Sequence, residues 1–209
     1  VHVAPGGIVK ASAEVAEFGK VDILINNAGG GTSMPILEMT DEAYFKDINT
    51  DLLGLFKCLR EFGKVMVKQG HGRIINIASI LGLVGENGVP VAGYQSAKGG
   101  VVNLTRCAAT ELATTGVTVN AICPGFFPSE SNGPAEMEAM DSFICVNTPM
   151  DRPGLPSELD KVGELEGAAV FLASDEASYV TGVILPVLPL SPKREPQRYI
   201  RRNYYALSL

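Results

Sequence analysis

Apolar residues run along this chain in two rhythms. Short runs rich in β-branched residues recur as "VDILIN" (21–26), "RIINIAS" (73–79), "VTVNAIC" (117–123) and "VILPV" (183–187). Most are apolar on both faces, which predicts strands covered by helices on either side, as in a parallel sheet. Between them, helical patterns run over roughly 7–18, 40–69, 94–114 and 157–173. The second helix opens at "MTDEAYF", where Thr40 is placed to cap and Asp41 and Glu42 fill the first turn, and it closes near Gly70. Alternating strands and helices of these lengths predict a doubly wound, three-layer αβα fold with ligands at the carboxyl ends of the strands. There is no internal repeat and no linker, so residues 1–190 read as one domain and 191–209 as a tail.

Composition narrows the function. A chain of 209 residues that is 46% hydrophobic can bury a sizeable core. No apolar run approaches the ~18–20 residues that a membrane helix needs, so no membrane partner is expected. A net charge of −6 argues against a general nucleic-acid binder. The tail "SPKREPQRYIRRNYYALSL" is the exception, holding five Lys and Arg against one Glu. Cys58, Cys107, Cys123 and Cys145 are widely spaced and form no CxxC pair, and His2 and His71 are the only histidines, so a zinc site is not expected. The start "VHVAPGG" does not read as a secretory leader, and the expected setting is the cytoplasm with reduced thiols. Segment 124–156, rich in Pro and Gly and following a strand end, is placed where a substrate lid would sit.

Candidate chemistry collects at element ends. In "AGYQSAKGG" (92–100), Tyr94 and Lys98 are four apart and share one helix face. A protonated lysine beside a phenol is expected to lower the phenol's pKa and make it a general acid or base. Gly99 and Gly100 weaken that helix by roughly 1 kcal/mol each, which predicts a close approach of neighbouring backbone. Ser79 ends "RIINIAS", where its hydroxyl could bond the same substrate oxygen that Tyr94 protonates. "NNAGGG" (26–31) ends the first strand with glycines that permit a ligand close to the backbone, or an ordinary tight turn.

Together "NNAG" (26–29), "IINIAS" (74–79), "YQSAK" (94–98) and "NAICPG" (120–125) resemble the short-chain dehydrogenase/reductase family, in the same order and at similar spacing, over about residues 1–187. The resemblance implies a Rossmann-like fold exchanging hydride between NAD or NADP and an alcohol or carbonyl. It implies that Tyr94 is the acid/base, that Lys98 lowers its pKa and binds the nicotinamide ribose, and that Ser79 holds the substrate carbonyl. Asn27, Ala28 and Gly29 would lie along the cofactor, Pro124 and Gly125 would face the nicotinamide, and Ser129 would bond its carboxamide. Family members pair through two long helices, here 40–69 and 94–114, so a homodimer or homotetramer is implied.

Departures from the family pattern sharpen these expectations. Asp51 in "DLLG" stands where the family usually has an Asn in the proton relay, and would bring negative charge toward Lys98. No Gly-rich turn follows a first strand, so the fold is expected to be truncated at its N-terminus by two βα units and to bind dinucleotide poorly. "LPLSPKREPQ" replaces the family's usual ending. Within the family the chain looks most like gluconate 5-dehydrogenase and 3-oxoacyl-carrier-protein reductase members. Glu130, Glu136, Glu138 and Asp141 in the lid favour a free sugar acid or polyol over an acidic carrier protein. Two alternatives lie outside this reading: a non-catalytic remnant serving as a binding or oligomerisation module, and a serine hydrolase pairing Ser79 with Lys98. The latter lacks a G-x-S-x-G elbow.

Overall fold

A computed structural model of the chain describes residues 18–85, 88–128, 144, 148–156 and 163–188. Four strands form one parallel sheet in the order β1 (Ile23–Asn26), β2 (Gly72–Ile77), β3 (Val117–Pro124), β4 (Ile184–Val187). Each strand predicted from the pattern is present, and the architecture is a Rossmann-like α/β fold. The helices are α1 (Asp41–Asp47), α2 (Gly54–Gln69), α3 (Ala92–Leu112) and α4 (Glu166–Ala173).

The alternation of side chains along each strand divides the core into two layers. Ile74, Val117 and Val119 face α2 and α3 with Leu59, Met66, Ala108 and Ala109. Ala121 and Cys123 continue that layer against Leu55, Val101 and Val102. The other face buries Ile75 and Ile122 against Leu172 of α4. Arg73 lies in a central strand with only a few per cent exposed, its guanidinium tied to the Ser174 carbonyl at 3.3 Å and to Asp175 at 3.2 Å. On β1, Leu24 packs inward while Ile23 and Ile25 are half-exposed.

Two helix predictions need correction. The pattern over 40–69 reads as one helix, but residues Ile48–Leu53 form a wider π turn between α1 and α2, with the Gly54 N–H bonded to the Asn49 carbonyl. A π turn inserts one residue while the apolar spacing on either side still looks helical, so periodicity does not reveal it. The last helix covers Glu166–Ala173, not 157–173; its predicted start at 157–162 lies outside the described residues, as do the helix at 7–17, the tail, and most of the lid. The predicted end at Gly70 is observed: φ is +72° and its N–H caps the Met66 and Val67 carbonyls.

The described residues fall in two compact units, the first up to Pro124 with Leu165–Val187, the second running from Gly125 to Glu164 with Leu188. Within the second, Arg152 meets Glu164 through two bonds of 2.8 and 2.7 Å, and Glu164 also accepts the Leu155 N–H at 2.8 Å. The guanidinium, joined by that N–H, holds the Glu164 carboxyl down at about 2.

Two glycines test this packing in opposite directions. Gly116 has φ +80° and a methyl there would strike the Gly70 carbonyl, whereas Gly63, within α2, has open space where a Cβ would stand. Gly116→Ala is expected to lower stability by about 1–3 kcal/mol, and Gly63→Ala to raise it by about 0.5–1 kcal/mol. Denaturant midpoints that move the same way would contradict the packing.

Candidate active site

The carboxyl ends of β1, β2 and β3 bring Asn26–Gly31, Ser79 and Pro124 to one edge of the sheet, beside the first turns of α3. One layer beneath, Asn26 donates to Asn76 at 2.9 Å, Asn76 donates to Thr105 at 2.9 Å, and Thr105 donates to the Val101 carbonyl at 2.8 Å. This buried chain joins β1, β2 and α3, so the first Asn of "NNAG" is structural and Asn27, exposed beyond the strand, is the one free to meet a ligand.

The Lys98 side chain is 3% exposed and its Nζ is held at two points, donating to the Ile77 carbonyl at 2.8 Å and lying 3.2 Å from Asp51 Oδ1. Asp51 is fully buried on the π turn, and both its oxygens accept the Gly30 N–H at 3.2 Å. Gly29 is required here, because a Cβ would land on the Asp51 carboxylate and come within 3.0 Å of Lys98 Nζ. Of the glycines of α3, Gly100 is explained in the same way, since a Cβ there would strike the Leu52 side chain, whereas a Cβ on Gly99 would meet the Gly82 carbonyl oxygen only at an ordinary 3.6 Å.

Tyr94 is half-buried, hydrogen-bonded to Ser79, with the Lys98 ammonium 5.3 Å from its ring centroid. Ser79 Oγ accepts the Leu81 N–H at 3.1 Å. Burial raises the Asp51 pKa and lowers that of Lys98, and their attraction offsets this only in part. The expectation for Tyr94 is overturned: its pKa is raised, not lowered. Burial is the main cause, Asp51 and Cys123 add to it, and only the Ser79 bond opposes them. Lys98 does approach the ring, but its ammonium is paired with Asp51, and that carboxylate adds to the upward shift of the phenol. Cys123 is fully buried beneath the site, its thiol pushed up to about 11.

Ser79, Tyr94, Lys98, Asp51 and Gly29 therefore come together, Asn27 and Ala28 are exposed next to them, and Pro124 ends β3. Gly125 belongs to the second unit and Ser129 lies outside the described residues. Sequence reasoning missed Asp47, which is 2% exposed and accepts both the Thr32 N–H at 3.0 Å and the Thr32 hydroxyl at 2.9 Å. Its four-residue spacing from Asp51 was the available signal. Among the described residues no cluster could hold a metal ion, and no helix is long and apolar enough to cross a membrane.

A family model described as enoyl-(acyl carrier protein) reductase matches residues 7–187. The 3-oxoacyl-(acyl-carrier-protein) reductase of Staphylococcus epidermidis is 36% identical over 188 residues, covering 89% of this chain and 73% of the relative. A provisionally named gluconate dehydrogenase of Agrobacterium tumefaciens superposes with a TM-score of 0.79 at 37% identity, over 87% of this chain and 70% of its own. ElxO with NADP bound gives 0.75 at 31% identity, over 86% and 71%.

Removing either partner of the Asp51–Lys98 pair leaves a buried charge uncompensated. Asp51→Asn and Lys98→Met are each expected to lower stability by about 3–5 kcal/mol, with the double variant well short of the sum. The pH dependence follows from the two shifts. A raised carboxyl favours folding below its unfolded value of 3.8 and loses that contribution as pH rises, while a lowered ammonium favours folding above 10.5 and loses it as pH falls. The pair's penalty is thus greatest near neutrality, and the double variant should show it removed there. Strictly additive losses in denaturation would contradict the coupling.

Proposed function

The chain belongs to the short-chain dehydrogenase/reductase family of oxidoreductases, and from that premise we propose that it interconverts a small secondary alcohol and its ketone using NAD or NADP. The observation carrying this reading is the convergence of Tyr94, Ser79 and Lys98 at the carboxyl edge of the sheet, with exposed backbone at Asn27–Gly31 beside them.

The donor set suits the ribose and nicotinamide end of such a cofactor. A lysine ammonium has three donors. With Ile77 and Asp51 served, Lys98 keeps one for a ribose hydroxyl, and Asn27, Ala28 and Gly29 offer exposed backbone, with little side chain at the last two. Bound cofactor supplies or accepts the hydride. In reduction Tyr94 gives its phenolic proton to the carbonyl oxygen. Ser79 Oγ already accepts from Leu81, so its own hydrogen is free to bond that oxygen and fix its position. Lys98 faces the phenolate that results, while Asp51 keeps the phenol protonated through neutrality at the cost of making it a weaker acid. Pro124, which ends β3, is the remaining proposed cofactor contact in this unit.

For substrate we favour a sugar acid or polyol, on the acidic residues Glu130, Glu136, Glu138 and Asp141 and the likeness to the Agrobacterium protein. A 3-oxoacyl thioester is the second reading, supported by the Staphylococcus relative. We place the enzyme in the cytoplasm, in keeping with free thiols at Cys58, Cys107 and Cys123. We also propose a dimer or tetramer through α2 and α3, supported by the exposed Leu53, Phe56 and Val67 along the π turn and α2.

Tyr94→Phe should reduce turnover by about 10²–10⁴-fold without loss of fold. The raised Tyr94 pKa predicts ketone reduction that stays flat through neutrality and declines only above the ordinary phenol value of 10.0, and alcohol oxidation that climbs with pH toward that region. Rates measured with a keto sugar acid and with a 3-oxoacyl thioester decide between the substrate readings. An active Tyr94→Phe variant removes the proposed acid.

A further inference from the structure

Resting on the reading of Tyr94 as the acid, a second carboxylate acquires a role. Asp47 is almost wholly buried, yet both its oxygens are bonded to one residue, Thr32, through the backbone N–H at 3.0 Å and the hydroxyl at 2.9 Å. Thr32 directly follows Gly31, where an added Cβ would come within 2.9 Å of Tyr94 Cβ and 3.1 Å of Cγ, so the glycine backbone lies against the tyrosine. On its other side Asp47 abuts Gly93, where a Cβ would approach its Oδ2 to 2.8 Å. Gly93 is the residue before Tyr94. Asp47 therefore reaches Tyr94 by two routes, through Thr32 and Gly31 onto the side chain and through Gly93 at the backbone.

We propose that Asp47 is a positioning residue that fixes the Tyr94 ring by clamping the 29–32 glycine turn against it. A buried carboxylate spent on a threonine is costly unless both bonds are made, which makes the clamp stiff. Slackening it frees Tyr94 to move by a fraction of its own width, enough to spoil proton delivery without touching the substrate.

The test uses the full chain carrying Asp47→Ala, Asp47→Asn or Thr32→Val, with Tyr94→Phe as the blank. One readout is the titration of the Tyr94 phenol by ultraviolet difference absorbance, which needs no cofactor and is favoured by the absence of tryptophan. The groups that act on this phenol are Ser79, Asp51 and Cys123, with Lys98 over the ring; none is substituted, and because Asp47 also acts on Asp51, the Asn variant and the charge-neutral Thr32→Val separate loss of that charge from loss of the clamp. Asp47→Ala and Thr32→Val should each move that titration down toward the ordinary phenol value as the ring loses burial. Asp47→Ala should lower kcat by about a hundredfold at unchanged KM. Asp47→Asn removes the charge but can still accept the Thr32 N–H and donate to its hydroxyl, so it should stay near the unaltered protein in both readouts. If Asp47→Ala does not fold, Thr32→Val decides. Folded Asp47→Ala and Thr32→Val variants with unmoved titration and kcat overturn the proposal, as does an Asn variant no better than Ala. An active Tyr94→Phe variant would instead overturn the acid role, while the titration still reports on the clamp.

Discussion

The site depends on one buried contact, the Asp51–Lys98 pair at 3.2 Å. Neither charge would be stable there alone, since burial pushes each toward its neutral form. The pair persists because each member is also held by a fixed backbone group, the Ile77 carbonyl on one side and the Gly30 N–H on the other. Those two groups lie just at or past the ends of β2 and β1, so the ion pair is only as precise as the sheet beneath it. The Asn26–Asn76–Thr105 chain ties those two strands to the helix bearing Lys98.

This arrangement explains several residues that otherwise look unrelated. Gly29 has no side chain because Asp51 occupies the space. The π turn at Ile48–Leu53 carries Asp51, and Asp47, closing α1 just before it, is buried too. Gly82 is bare because a Cβ there would strike the Lys98 carbonyl, letting the turn after Ser79 close onto α3. The residues that shape the site are thus largely those that make room for two carboxylates and an amine.

The strands, the cap at Thr40, the stop at Gly70 and the grouping of Ser79, Tyr94 and Lys98 were legible from pattern and spacing. Each rests on local chemistry: β-branched runs, a hydroxyl cap, a left-handed glycine, and i, i+4 geometry. The π turn was not legible, since an inserted residue leaves the apolar spacing on each side intact. The direction of the Tyr94 shift was not either. Spacing placed Lys98 at the ring, but the outcome turned on how deeply the phenol is buried and on a carboxylate 43 positions earlier in the chain. Asp47 escaped notice because its partner, Thr32, is set by the fold.

The central claim is that the edge formed by Asn27–Gly31, Ser79, Tyr94 and Lys98 takes the nicotinamide end of a dinucleotide. The most direct measurement is calorimetric titration of the chain with NADH and with NADPH, repeated on Lys98→Met. The account predicts weak but saturable binding of at least one cofactor, weakened further when the Lys98 ammonium is removed. No heat of binding for either at millimolar concentration, or binding indifferent to Lys98, would contradict it.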